Sequence, residues 1–139
     1  MKKLLIPAIV ALALSQASEA SIGTITKADL SGAWQMTLVG NTGCGLSSML
    51  VTVTLNTAGT GTNATIKQHG QCGDSTSTGN TFTVKTLAAN GSGTAGLSCG
   101  VGCGWELNIQ VSPDRSTFNI VDVAPVNPGN FIAGMAVHQ

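Results

Sequence analysis

The chain has 139 residues, of which 9% are charged, with six basic side chains against six acidic ones and a formal net charge of zero. That balance leaves no basic stripe for a phosphate backbone and no polybasic patch for an anionic lipid surface, so no nucleic acid is expected as a partner. The length fits one domain with a single core, which does not need cross-links in order to exist.

The first twenty residues read as a signal peptide. Lys2 and Lys3 form a positive start, Leu4 to Leu14 is an apolar run broken only by Pro7, and Ser18-Glu19-Ala20 offers small residues for cleavage before Ser21. A bilayer span takes about 20 apolar residues, and this run is about half that. No cysteine follows the run, which speaks against a lipoprotein anchor. The expected organisation is therefore a bacterial leader over 1–20 and one domain over 21–139. That domain would be periplasmic, secreted or at the cell surface, with no membrane span once the leader is gone. It keeps Lys27, Lys67, Lys85 and Arg115 against Asp29, Asp74, Glu106, Asp114 and Asp122. Its solvation must come from Thr, Ser, Asn and Gly, and so neutral a surface resists self-association weakly.

After Ser21 the pattern is alternation at the period of a strand, with almost no helical signal. Trp34, Met36 and Leu38 alternate with Gln35 and Thr37; Met49, Val51, Val53 and Leu55 alternate with Leu50, Thr52 and Thr54. A third strand is expected over 63–68, with Ala64 and Ile66 on one face. A fourth spans 81–87, with Phe82 and Val84 opposite Thr83 and Lys85. The stretch 90–98 is glycine-rich, a composition that marks bends and bulges in a strand. Trp105, Leu107, Ile109 and Val111 against Glu106, Asn108 and Gln110 make the clearest strand of all. Ser112-Pro113-Asp114-Arg115 is a turn with Pro at a favoured corner. Strands over 117–123 and 130–137, separated by the Pro125 and Pro128 loop, complete a set of eight.

Such a series implies an all-β, single-domain antiparallel barrel with up-and-down connections, or a two-sheet β-sandwich. Closure is favoured because an open eight-stranded sheet would expose edges with little charge to protect them. An outer-membrane barrel needs longer strands and aromatic girdles, and this chain has no Tyr.

Asp29-Leu30-Ser31-Gly32-Ala33-Trp34-Gln35 opens the first strand with a Gly-x-Trp motif. The motif resembles the start of calycin-type barrels, the lipocalins and avidins. With the eight-strand pattern and the final Phe131-Ile132-Ala133-Gly134-Met135-Ala136-Val137, the resemblance implies a barrel whose floor is closed by Trp34. Lipocalins often set an arginine of the last strand on that tryptophan, and the last strand here has none.

In an up-and-down meander alternate loops share an end, which gathers Cys44, Cys72, Cys99 and Cys103 at one mouth. An oxidising compartment makes four cysteines two disulfides, and of three possible pairings the expected one is Cys44–Cys72 with Cys99–Cys103. Zinc is not expected, since Cys99 and Cys103 have three residues between them and no second close pair exists. His69 lies near Asp74 and Cys72, but an exported cysteine is oxidised, so no catalytic residues, metal or cofactor are assigned. Asn63-Ala64-Thr65 and Asn90-Gly91-Ser92 match the glycosylation pattern by chance, given the bacterial leader.

Trp34, Met36, Met49, Trp105 and Phe118 are candidates to line a ligand pocket, although the same residues also build simple cores. Gly93, Ala95, Gly134 and Ala136 contribute little volume and are expected to leave a cavity beside two strands. The expected function is an exported, non-enzymatic barrel that binds a small apolar molecule or a protein partner. The alternative is a structural or cell-surface subunit that self-assembles by strand addition, docking its tail with Ile22 and Ile25 in the next copy.

Overall fold

The computed structural model describes residues 23–43, 45–123 and 129–139. Eight strands follow one another: β1 (Gly32–Asn41), β2 (Leu46–Leu55), β3 (Thr60–Gly70), β4 (Gly73–Leu87), β5 (Ser92–Gly100), β6 (Cys103–Val111), β7 (Thr117–Asp122) and β8 (Phe131–His138). Each pairs antiparallel with its sequence neighbour, and β1 pairs with β8 from Trp34↔His138 to Asn41↔Phe131. The sheet is a closed barrel in the order β1 to β8, not a sandwich. Closure removes the edges that would otherwise template pairing with another chain.

The alternation seen in the sequence is the alternation of the wall. Trp34, Met36 and Leu38 of β1, Met49, Val51, Val53 and Leu55 of β2, and Leu107, Ile109 and Val111 of β6 are all buried. They join Phe82, Leu97, Phe118, Ile120 and Ile132 in one core that fills the barrel. The interior is thus apolar, the reverse of a membrane pore, and the outer positions between these residues are mainly Thr, Ser, Gln and Asn. Among the described residues no helix is long and apolar enough to cross a membrane.

One end, the floor, is built by the start of the chain. A short 3-10 helix, Lys27–Leu30, lies there with Leu30 fully buried. The Trp34 indole N–H donates to the Leu30 carbonyl at 2.8 Å, tying the first strand to the plug. The backbone N–H of Ile25 donates to the Ala89 carbonyl at 3.0 Å, and its side chain is 2% exposed. Arg115, in the β6–β7 turn with φ of 62°, donates to the Gly23 carbonyl at 3.2 Å and holds the segment down. Ile25, expected on the strand-addition reading to dock in a neighbouring copy, is therefore buried in its own barrel. Ile22 lies outside the described residues.

Two local expectations are corrected. The fourth strand, expected over 81–87, begins at Gly73. Its first part pairs only with β3, from Gly70↔Gly73 to Ile66↔Ser77, while pairing to β5 starts at Thr81. β3 stays paired with β2 up to Gly70, so this first part of β4 is an extension edged on one side by β3, and a solvated extension needs no apolar side chains to mark it. The second correction concerns the small residues. A Cβ on Gly134 would sit 2.0 Å from the Thr37 carbonyl oxygen, and one on Gly93 would sit 2.2 Å from that of Thr86. Neighbouring backbone occupies the space beside them, so these glycines let strands approach rather than leave a cavity.

Candidate functional site

The two ends of the barrel are built differently. The β1–β2, β3–β4, β5–β6 and β7–β8 connections share the end opposite the floor, and Cys72, Cys99 and Cys103 lie there. Cys99 and Cys103 are bridged to each other across the β5–β6 hairpin. Its Gly100 and Gly102 have φ of 120° and 74°, the left-handed values that let three residues turn between two bonded cysteines. Cys72 is also disulfide-bonded. Its expected partner, Cys44, lies outside the described residues. The bridge stiffens a loop at the rim, where a binding surface gains most from being ordered before its ligand arrives.

Solvent reaches the inner wall at this cysteine end. Gln68 of β3, Ser77 of β4, Cys99 of β5, Trp105 of β6 and Asp122 of β7 all occupy inward positions and are half-buried. At the floor the inward residues Trp34, Val111 and Phe118 are each 1% exposed. The strand register explains how five distant residues form one ring. Leu97 faces Trp105 across β5 and β6, which places Cys99 one inward step above Leu97. Leu107 faces Asp122 across β6 and β7, which places Asp122 diagonal to Trp105.

Beneath the ring the wall turns apolar. Met49, Ile66, Leu97 and Leu107 lie one inward step down and are nearly or fully buried. On the β2–β3 side the rim is a hydrogen-bonded patch. The Gln68 amide donates to Thr42 Oγ1 at 2.8 Å and to Ser47 Oγ at 3.2 Å, and the two hydroxyls lie 3.0 Å apart. On β4 the Asn80 side chain donates to the Ala64 and Ser77 carbonyls at 3.1 and 3.0 Å and accepts from Ser77 Oγ at 3.0 Å. These partners let Ser47 and Asn80, 8% and 5% exposed, sit inside an otherwise apolar barrel.

The five candidate lining residues are divided by the fold. Trp34, Met36 and Phe118 belong to the filled core, with the Trp34 and Phe118 ring centroids 4.7 Å apart. Met49 is 2% exposed and lies one step below Ser47, directly under the rim. Trp105 alone stands in the ring, half-buried against the core. Gln68, Ser77 and Asp122 had no sequence signal of their own; only the register places them. The partner of Trp34 on the last strand is His138, whose ring stacks on the indole with centroids 4.8 Å apart and planes 30° apart. The penultimate residue is thus held in the seam.

The titratable groups do not converge on the ring. His69 Nδ1 contacts the Asp74 carboxylate across the β3–β4 hairpin, with both side chains at least 80% exposed, and the nearby Cys72 has no free thiol. Lys85 pairs with Glu106 on the outer wall, which gives that glutamate an ion-pair partner rather than bare solvent. At the floor, hydrogen bonds from the Thr26 backbone and hydroxyl, with Arg115 nearby, hold the Asp29 carboxyl below its ordinary value. In the β6–β7 turn, hydrogen bonds from Ser112 and then Ser116 bring Asp114 down to about 2. Among the described residues no group of three or more His, Cys, Asp or Glu is placed to hold a metal ion.

No family model matches the sequence, and no curated protein matches it. Among solved structures the chain is similar to a biogenic amine-binding protein, in its selenomethionine derivative, at 16% identity and a TM-score of 0.45. The match covers 86% of this chain and 71% of that one. At that level the likeness adds nothing to the barrel seen directly here.

Proposed function

We propose that the chain is an exported, non-enzymatic binding barrel that takes a small, mainly apolar molecule at its cysteine end. The observation that supports this most is the asymmetry of the two ends. One is sealed by the 3-10 helix, Trp34 and the Arg115 clamp; at the other, half-buried inward groups ring an apolar layer. A cup of this kind at the mouth of a small barrel gives a ligand apolar contact below and hydrogen-bonding or charged groups at the rim. Trp105 supplies the largest ring surface there, and the Cys99–Cys103 bridge fixes the hairpin that carries it. The leader over 1–20 and the oxidised cysteines agree on an exporting route.

The test is a titration with the neutral apolar fluorophore N-phenyl-1-naphthylamine, read through tryptophan emission. Saturable quenching of Trp105 is expected in the wild type and in Trp34→Phe, and its loss in Trp105→Leu. An emission change that does not saturate, or one carried by Trp34 alone, would remove the reading. Strand addition gains no support from the described residues: Ile25 is buried at home, and β1, β2, β7 and β8 are hydrogen-bonded on both sides.

A further inference from the structure

We propose that two copies of this chain associate through the outer face of β7, β8, β1 and the start of β2. Among the described residues, seven of the eight exposed large hydrophobics lie on this wall or at its rim, and only Val101, at the β5–β6 tip, does not. The strand register makes them contiguous. Val121, Ala133 and Val39 share one level across β7, β8 and β1. Met135 stands in the level below, between Asn119 and Thr37, and Phe131 in the level above, beside Asn41, whose other neighbour is Leu46. Val39 is 57%, Leu46 69% and Phe131 52% exposed. Leaving such side chains in water on adjoining strands is unusual for a surface that meets only solvent.

Charge selects the occupant. No outward position of β1, β2, β7 or β8 carries Asp, Glu, Lys or Arg, whereas β3, β4 and β6 all carry outward charges. A charged partner would find no complement on this wall. A second copy meets a surface as uncharged as its own, and with four basic against five acidic side chains over 21–139 the domain adds little long-range repulsion. Shape agrees. A hollow lined by Val39, Leu46, Ser48, Phe131 and Ala133 opens on the same wall and extends to His69 and Gln71 at the end of β3, so one face supplies both projections and a recess. A two-fold pair requires that combination, since each patch must receive its own copy. Because the four strands are already paired on both sides, the contact is between side chains of two walls rather than an extended sheet.

The measurement is sedimentation equilibrium of the purified chain over a wide concentration range, alongside Val39→Lys, Met135→Lys and the control Ser98→Lys on the opposite wall. Any effect of residues 1–22 is common to all four and cancels. The wild type and Ser98→Lys are expected to dimerise with the same constant. Either wall substitution enters a two-fold interface twice and should weaken dimerisation by roughly a hundredfold or more, with the thermal midpoint unchanged. Two sites guard against one variant misfolding. A wild type that stays monomeric at the highest concentration overturns the proposal, as does a dimer that both wall variants retain. A monomer that instead sediments with neutral phosphatidylcholine vesicles, and loses that in Met135→Lys, would also overturn it in favour of a lipid surface.

Discussion

Replacing Trp34 tests whether the floor is held by one side chain. Trp34 is 1% exposed, packs on Phe118 at 4.7 Å and on His138 at 4.8 Å, and donates to the buried Leu30 carbonyl. Truncating a buried tryptophan to alanine costs about 3–5 kcal/mol through lost transfer energy and the cavity left behind. Leaving the Leu30 carbonyl without its donor adds about 1 kcal/mol, so Trp34→Ala should lose about 5 kcal/mol. For a domain of this size that lowers Tm by roughly 20 °C. Trp34→Phe keeps most of the ring and loses the donor, and should cost about 2 kcal/mol. Urea melts followed by the emission of the remaining Trp105 give both values, with an unchanged m-value showing that only stability moved. If alanine cost under about 1.5 kcal/mol, or if phenylalanine cost as much as alanine, the floor would not depend on the ring and its hydrogen bond as argued.

The seam between β8 and β1 admits no side chain at Gly134, where a Cβ would meet backbone at 2.0 Å, so Gly134→Ala should destabilise by about 1–3 kcal/mol in the same melts. Removing the Cys99–Cys103 bridge as a double serine variant frees a loop with a sequence separation of four and should cost about 2 kcal/mol in the chain-entropy picture. Asp114 has a folded pKa of about 2 against an ordinary 3.8, so its contribution is complete above about pH 4 and is lost as the pH falls toward 2. Acid melts of Asp114→Asn should lack that part of the decline; an identical acid limb in wild type and variant would show the turn hydrogen bonds to be unimportant.

Most of the barrel could be read in the sequence because its strands carry an apolar residue at every second position for at least part of their length. The core faces of β1, β2 and β6 follow from that period directly. What escaped lacks the signal. The β4 extension from Gly73 to Thr78 carries no apolar side chain, and it is held to β3 by backbone pairing and the exposed His69–Asp74 contact. The glycines of β5 and β8 signal close approach as well as empty volume, and only the position of the next strand's carbonyls decides between them. The rim ring was hidden for a related reason. Gln68, Ser77 and Asp122 are ordinary polar residues in sequence, and their inward direction comes from register with Met49, Ile66 and Leu107. Trp105 was legible as an aromatic in a strand, but its place at the open end required knowing which loops share that end.

The claim that the cysteine end is the binding end is tested most directly by amide chemical-shift mapping of the isotopically labelled protein with N-phenyl-1-naphthylamine. Saturable shifts are expected at Gln68, Ser77, Cys99, Trp105 and Asp122, together with the Trp105 indole N–H, while the Trp34 indole and the amides around Phe118 stay in place. Shifts centred on Trp34 and Phe118, shifts confined to the outer wall at Val39 and Met135, or none at saturating probe would contradict it.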